Sequence, residues 1–175
     1  VNADDVGMHP DLDSAAFKLI DAGQIQTISM MPPTPNFAVA AVMAKKRNMG
    51  VGVHLTLTNE WQEKQAWGSV LPKNEVPSLY NRQGRLWATT AEVAQHAKLP
   101  EVKKELLAQI AKVQAAGLTV THLDAHMLFW TESEALSELY FSLARETGIP
   151  VVLQVFRLSN ADQMQLTQQF QVQEG

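Results

Sequence analysis

Strand-like and helix-like segments alternate along this chain from its first residues, which points to an α/β protein with a parallel sheet and crossover helices. Two further observations agree. No hairpin signal joins any two of the five strand candidates. Polar residues also gather at the C-terminal ends of three strands, where parallel α/β folds place their sites.

The first strand is expected to end over Val1 to Ala3, before a turn at Gly7-Met8-His9-Pro10. The spacing of Leu12, Ala15, Ala16, Leu19 and Ile20 predicts a helix stopped by Gly23. Ile25 to Met31 reads as a short buried strand closed by Pro32-Pro33. Phe37 to Met43 is apolar at helical spacing and runs into Lys45-Lys46-Arg47, a basic run that suits a helix C-terminus. Val51 to Thr58 alternates, with Val51, Val53, Leu55 and Leu57 on one face and Gly52, His54 and Thr56 on the other. Residues 59–99 are less regular and hold Trp61, Trp67, Tyr80 and Trp87, so they read as a long functional insertion. Pro100 to Ala116 is a helix ending at Gly117. Leu118 to Asp124 is a strand, Glu132 to Thr147 a helix, Ile149 to Phe156 a strand, and Asn160 to Gln171 a last helix. An open doubly wound sheet fits this order, although no Gly-rich phosphate loop follows the first strand. A partial β/α barrel fits equally well.

The 175 residues suit a single catalytic domain spanning 1–175. The start inside a strand ending and the Gln-rich close lead us to expect a piece of a longer domain, cut at both ends. The 14 basic and 18 acidic residues give a net charge of −4, which argues against a general nucleic-acid binder. The absence of cysteine excludes disulfides, thiolate metal sites and cysteine nucleophiles. No apolar run is long enough to cross a bilayer and no leader pattern is present, so a cytoplasmic protein without membrane partners is expected. Homo-oligomerisation is left open.

The three polar strand ends are Asn2-Ala3-Asp4-Asp5, His54 within Gly52-Val53-His54-Leu55, and His122-Leu123-Asp124-Ala125-His126. Taken singly, the aspartates could cap a helix and His54 could be a core histidine. Strand geometry puts His122 and Asp124 on one face and His126 just past the end. Together, one carboxylate and two imidazoles at a single mouth form a mixed N/O site suited to Zn²⁺, Mn²⁺, Co²⁺ or, less typically, Mg²⁺. The second carboxylate is then free to act as a base.

In this order, NADDVG, GVHLTLT and THLDAH resemble the motifs of the YdjC-like carbohydrate deacetylases, a group that includes chitooligosaccharide and hopanoid-associated deacetylases. The resemblance runs from Val1 to about Pro150. It implies a deformed β/α barrel of the polysaccharide-deacetylase style, incomplete in this chain. It also implies a hydrolase that removes N-acetyl groups from small amino sugars or short oligosaccharides with a divalent metal, commonly Mg²⁺. Carried over by position, Asp5, His54 and His126 are the implied metal ligands, and Asp4 is the implied base as metal-held water attacks the acetyl carbonyl. His122 and Asp124 become the supporting residues that orient ligands, with His122 also a candidate acid. Trp61 and Trp67, just after the His54 strand, are the candidates for stacking on a sugar ring.

The chain departs from the family pattern in places. Ala125 stands where many members have serine, and Met127-Leu128 replace further histidines. Val6 stands for a common phenylalanine. Val151-Val152 replace an expected arginine, which leaves Arg157 as the nearest candidate. Two other readings follow: a different metallohydrolase cutting an amide or phosphoester, and a non-catalytic relative that binds metal and sugar.

Overall fold

The computed structural model describes residues 1–153. Four strands, β1 (Asn2–Val6), β2 (Thr27–Met30), β3 (Gly50–Leu55) and β4 (Thr119–Ala125), form one sheet in chain order, each pair parallel. Helix α1 (Pro10–Asp21) crosses from β1 to β2 and α2 (Phe37–Lys46) from β2 to β3. Two helices, α3 (Thr90–His96) and α4 (Leu99–Ala115), lie between β3 and β4, and α5 (Glu134–Thr147) follows. Sequential order is the winding of a β/α barrel. A doubly wound sheet must reverse its strand order at a switch point, so that alternative is corrected. An isolated parallel bridge pairs Leu123 of β4 with Val151. The rest of the Ile149–Phe156 candidate, Arg157 and the Asn160–Gln171 helix lie outside the described residues. Among the described residues no helix is long and apolar enough to cross a membrane.

β1 continues to Val6, three residues past the expected stop, because pairing with β2 overrides the weak strand preference of its two aspartates. In β3 the polar face is covered as well as the apolar one, as in parallel sheets flanked on both sides. The His122 ring of neighbouring β4 lies over Gly52, where a Cβ would stand 2.3 Å from His122 Nε2 and would have to displace that ring.

The 59–99 segment is more ordered than its sequence suggests. Its Trp67, Val76, Leu79, Leu86 and Val93 join the main core. Helix α3 opens on a capping box, in which Glu92 N donates to Thr89 Oγ1 (3.2 Å) and Thr89 N to Glu92 Oε2 (3.0 Å). The Thr-x-x-Glu signature of that box stands in the sequence.

A buried polar pair on α4 ties this segment to the sheet. Glu105 accepts from Val70 N (2.8 Å), Leu71 N (3.0 Å) and Gln109 Nε2 (2.8 Å). Gln109 also accepts from Thr56 N and donates to Thr56 O, just beyond β3. Burial raises the Glu105 carboxyl, against the hydrogen bonds that lower it. A carboxyl raised on folding stabilises most below its ordinary value of 4.5, and that contribution fades as pH rises through the folded value. Glu105→Gln turns an amide NH₂ toward one of the two backbone donors. It is expected to cost about 1–3 kcal/mol, with the gap to wild type narrowing as pH rises above 4.5. Urea denaturation at several pH values checks this, and a gap that widens with pH would contradict it.

Candidate metal centre

Local backbone irregularities build the site. Asp5 adopts a left-handed conformation (φ 58°), and the β1–β2 register shifts between Ala3 and Val6. This bulge breaks strict alternation, so neighbouring Asp4 and Asp5 are not bound to opposite faces. The turn behind them is pinned from α1. Gly7 N donates to buried Asp13 Oδ1 (2.7 Å), and Asn36 Nδ2 donates to Asp13 Oδ2 (2.6 Å). Gly7 itself has φ 102°, and a Cβ there would press on Phe37 and Thr34. The aspartate pair does not cap α1, since that cap is His9, whose Nδ1 accepts from Asp11 N.

His54 lies near the end of β3, opposite Asp124 of β4 in the register. His126 follows β4 directly, and Met127 and Leu128 after it are both left-handed (φ 55° and 57°). Left-handed non-glycine residues cost on the order of 1 kcal/mol each. Here Phe129 and Trp130 hold the turn by burying themselves against Tyr140, on which the Trp130 ring stacks at 5.9 Å. The Tyr140 hydroxyl in turn donates to Leu123 O (3.1 Å).

Three atoms converge. Asp5 Oδ1 stands 3.1 Å from His126 Nδ1 and 3.4 Å from His54 Nε2, and the two nitrogens are 3.3 Å apart. Asp5 Oδ1 is buried without an aligned hydrogen bond, and each of the three donor atoms lies within 3.4 Å of the other two. Ligands about 2.1 Å from one cation sit roughly 3.0–3.4 Å apart in octahedral or tetrahedral arrangements, so the donor set fits a divalent metal. Burial works to raise the Asp5 carboxyl, but the imidazoles of His126 and His54 outweigh it and hold it well below the usual range. Burial works to lower His54, yet Asp124 and Asp5 push it up to about 10. His126 is raised in the same way by Asp5 and Glu60, against its burial.

A polar chain runs across the sheet behind this cluster. Asn2 Nδ2 donates to Ser29 Oγ (3.0 Å) and Ser29 Oγ to Asp124 Oδ2 (2.7 Å), while Asp124 Oδ1 lies 3.0 Å from His54 Nδ1. That contact is an ion pair without an aligned hydrogen bond, and it leaves Nε2 of His54 on the side of Asp5. On the other side, His126 Nε2 lies 3.1 Å from both carboxylate oxygens of Glu60. Burial works to raise Glu60, but His126 lowers it overall.

The remaining candidates part company. Asp4 is exposed, and among the described residues it has no hydrogen-bond or ion-pair partner. His122 lies two residues back along β4 with its ring against Gly52. Its hydrogen bond is to Thr121, so the geometry brings Asp124 but not His122 to the cluster. Trp61 is 45% exposed and free to present a ring face. Trp67 is a correction: it is 5% exposed, with its indole N–H given to Thr58 O (2.9 Å), so its faces are taken up by the core. Ser29 and Glu60 were missed. A lone serine in an apolar strand carries no signal. Glu60 could have been suspected only as a carboxylate just beyond the His54 strand.

The YdjC-like protein family matches residues 1–174 of the chain. The chain belongs to that family. Among relatives of this YdjC-like chain are proteins named carbohydrate deacetylase from Brevibacillus brevis and Oceanobacillus iheyensis. The first is 31% identical over 86% of this chain and 57% of the relative. The second is 29% identical over 86% of this chain and 62% of the relative. A crystal structure of an Enterococcus faecalis protein named for cellobiose-phosphate cleavage superposes with a TM-score of 0.83 at 27% identity, over 97% of this chain and 63% of that one. The YdjC-like chain thus spans about six-tenths of the length of these relatives.

Proposed function

We propose that this chain forms the metal site of a hydrolase that removes N-acetyl groups from small amino sugars or short oligosaccharides. The observation that supports it most is the convergence of Asp5 Oδ1, His54 Nε2 and His126 Nδ1, with the carboxylate oxygen buried and without an aligned hydrogen bond. The relatives named carbohydrate deacetylase supply the substrate class. Asp5, His54 and His126 would hold the cation, which when bound lowers the pKa of water and polarises a carbonyl. Asp124 and Asn2-Ser29 keep His54 in orientation. Asp4, exposed beside Asp5, accepts the proton of the attacking water. Trp61 offers its exposed ring to the sugar. Mg²⁺ is the metal that the resemblance implies, while the two imidazoles also suit Zn²⁺, Mn²⁺ and Co²⁺. A cytoplasmic location belongs to the same reading.

Acetate release from N,N′-diacetylchitobiose tests it, first with metal-stripped protein and then with each of the four cations restored. Metal-dependent acetate is expected. Metal uptake without acetate favours the non-catalytic sugar-binding reading, and phosphate release from a sugar phosphate favours a phosphoesterase. Trp61→Ala is expected to raise KM about two- to tenfold with kcat little changed, the size of one lost ring contact. Steady-state kinetics on the same sugar check this, and an unchanged KM removes Trp61 from the sugar site.

A further inference from the structure

Each imidazole of the cluster is backed by a carboxylate on its outer nitrogen, and the two use opposite nitrogens. His54 turns Nδ1 to Asp124 and Nε2 inward, whereas His126 turns Nε2 to Glu60 and Nδ1 inward. We propose that Glu60 is a positioning residue that makes His126 present Nδ1 to the metal. The inference rests on the metal site proposed above and adds the residue that sets its third ligand.

A neutral imidazole carries one N–H, and the nitrogen that bears it cannot bind a cation. Glu60, with both oxygens 3.1 Å from Nε2, draws that proton to Nε2 and leaves the Nδ1 lone pair toward Asp5. Glu60 is not itself placed as a ligand, because it faces the ring nitrogen opposite the one that meets Asp5 and His54.

The peptide that carries it is clamped. Asn59 is fully buried. Its Oδ1 accepts from Trp61 N (3.1 Å) and Gln62 N (2.9 Å), its Nδ2 donates to Trp67 O (3.3 Å), and its backbone N donates to Trp87 O (2.8 Å). A surface glutamate that met His126 by chance would not need a buried asparagine just before it holding the backbone of the two residues that follow. Orientation of His126 is also a real requirement, since two left-handed residues follow it and the regular β4 ladder ends at Ala125.

The test uses Zn²⁺ and the metal-stripped chain. In Glu60→Ala, Zn²⁺ affinity by calorimetry is expected to fall about 10–100-fold, the range for losing a residue that orients a ligand. Glu60→Gln keeps an acceptor for Nε2–H and is expected to restore most of it. Nitrogen-15 spectra of the Zn²⁺-loaded wild type, with His126 signals identified by their loss in His126→Asn, are expected to show Nδ1 metal-bound and Nε2 protonated. Thermal melts of the stripped variants separate this from misfolding, and a folded Glu60→Ala with weak Zn²⁺ binding supports the assignment. Wild-type Zn²⁺ affinity in Glu60→Ala, or coordination of His126 through Nε2, overturns the role of Glu60 and leaves the metal site standing. A wild type that takes up no Zn²⁺ overturns the metal site and this role together. Zn²⁺ uptake that follows the expected pattern without acetate release overturns only the deacetylase reading.

Discussion

Asp4→Asn is expected to leave metal uptake nearly intact and to cut kcat for acetate release by about 10²–10⁴-fold, the range for removing a general base. The separation of the two effects follows from the backbone. Asp5, one residue on, supplies the buried oxygen of the cluster, and it depends on its own left-handed φ and on the pinned turn at Gly7. Asp4 contributes to neither. Its carboxylate is exposed and without a partner among the described residues, so an isosteric amide disturbs no bond while losing basicity. A helix-capping role would predict lost stability instead, but His9 already caps α1. Kinetics and Zn²⁺ calorimetry on the same preparation decide the matter. If turnover survives with metal bound, the base lies elsewhere and the metal site is untouched.

Much of this site could be read in the sequence because its parts stand at strand ends, and strand ends of a parallel sheet converge. His54 and Asp124 sit where alternation and register bring them, directly opposite each other. Features set by tertiary contact could not be read. The apolar stretch around Ser29 gives no hint that its hydroxyl bridges β1 and β4, since that depends on a parallel register between distant segments. Glu60 meets His126 across 66 positions of chain, through an irregular turn that no periodicity describes. The burial of Trp67 was equally hidden. An aromatic in a long segment looks available until the segment is seen to fold back onto the core. The order of the strands shows the same limit: alternation alone allows a barrel or a doubly wound sheet, and only the pairing decides.

His54→Ala and Asp5→Ala should both abolish tight metal binding, with a larger loss than the 10–100-fold typical of changes behind a ligand, yet they should differ sharply in stability. His54 stands between two carboxylates, and Asp124 is as deeply buried as the imidazole it faces. Removing His54 strands the Asp124 charge, with the hydroxyl of Ser29 as its remaining partner, and breaking a buried pair in this way costs about 3–5 kcal/mol. Asp5 is more exposed, and its loss leaves His54 still paired with Asp124 and His126 still paired with Glu60. The metal-stripped Asp5→Ala protein, which loses one carboxylate facing two imidazoles, should therefore unfold in urea below wild type, and His54→Ala well below both. Adding Asp124→Asn to His54→Ala removes the stranded charge and should recover part of the loss without restoring metal uptake. A metal affinity equal to wild type in either single variant would remove that residue from the ligand set. Equal stabilities would mean that Asp124 is not held as a charge by His54, and the orientation of His54 would then need another source.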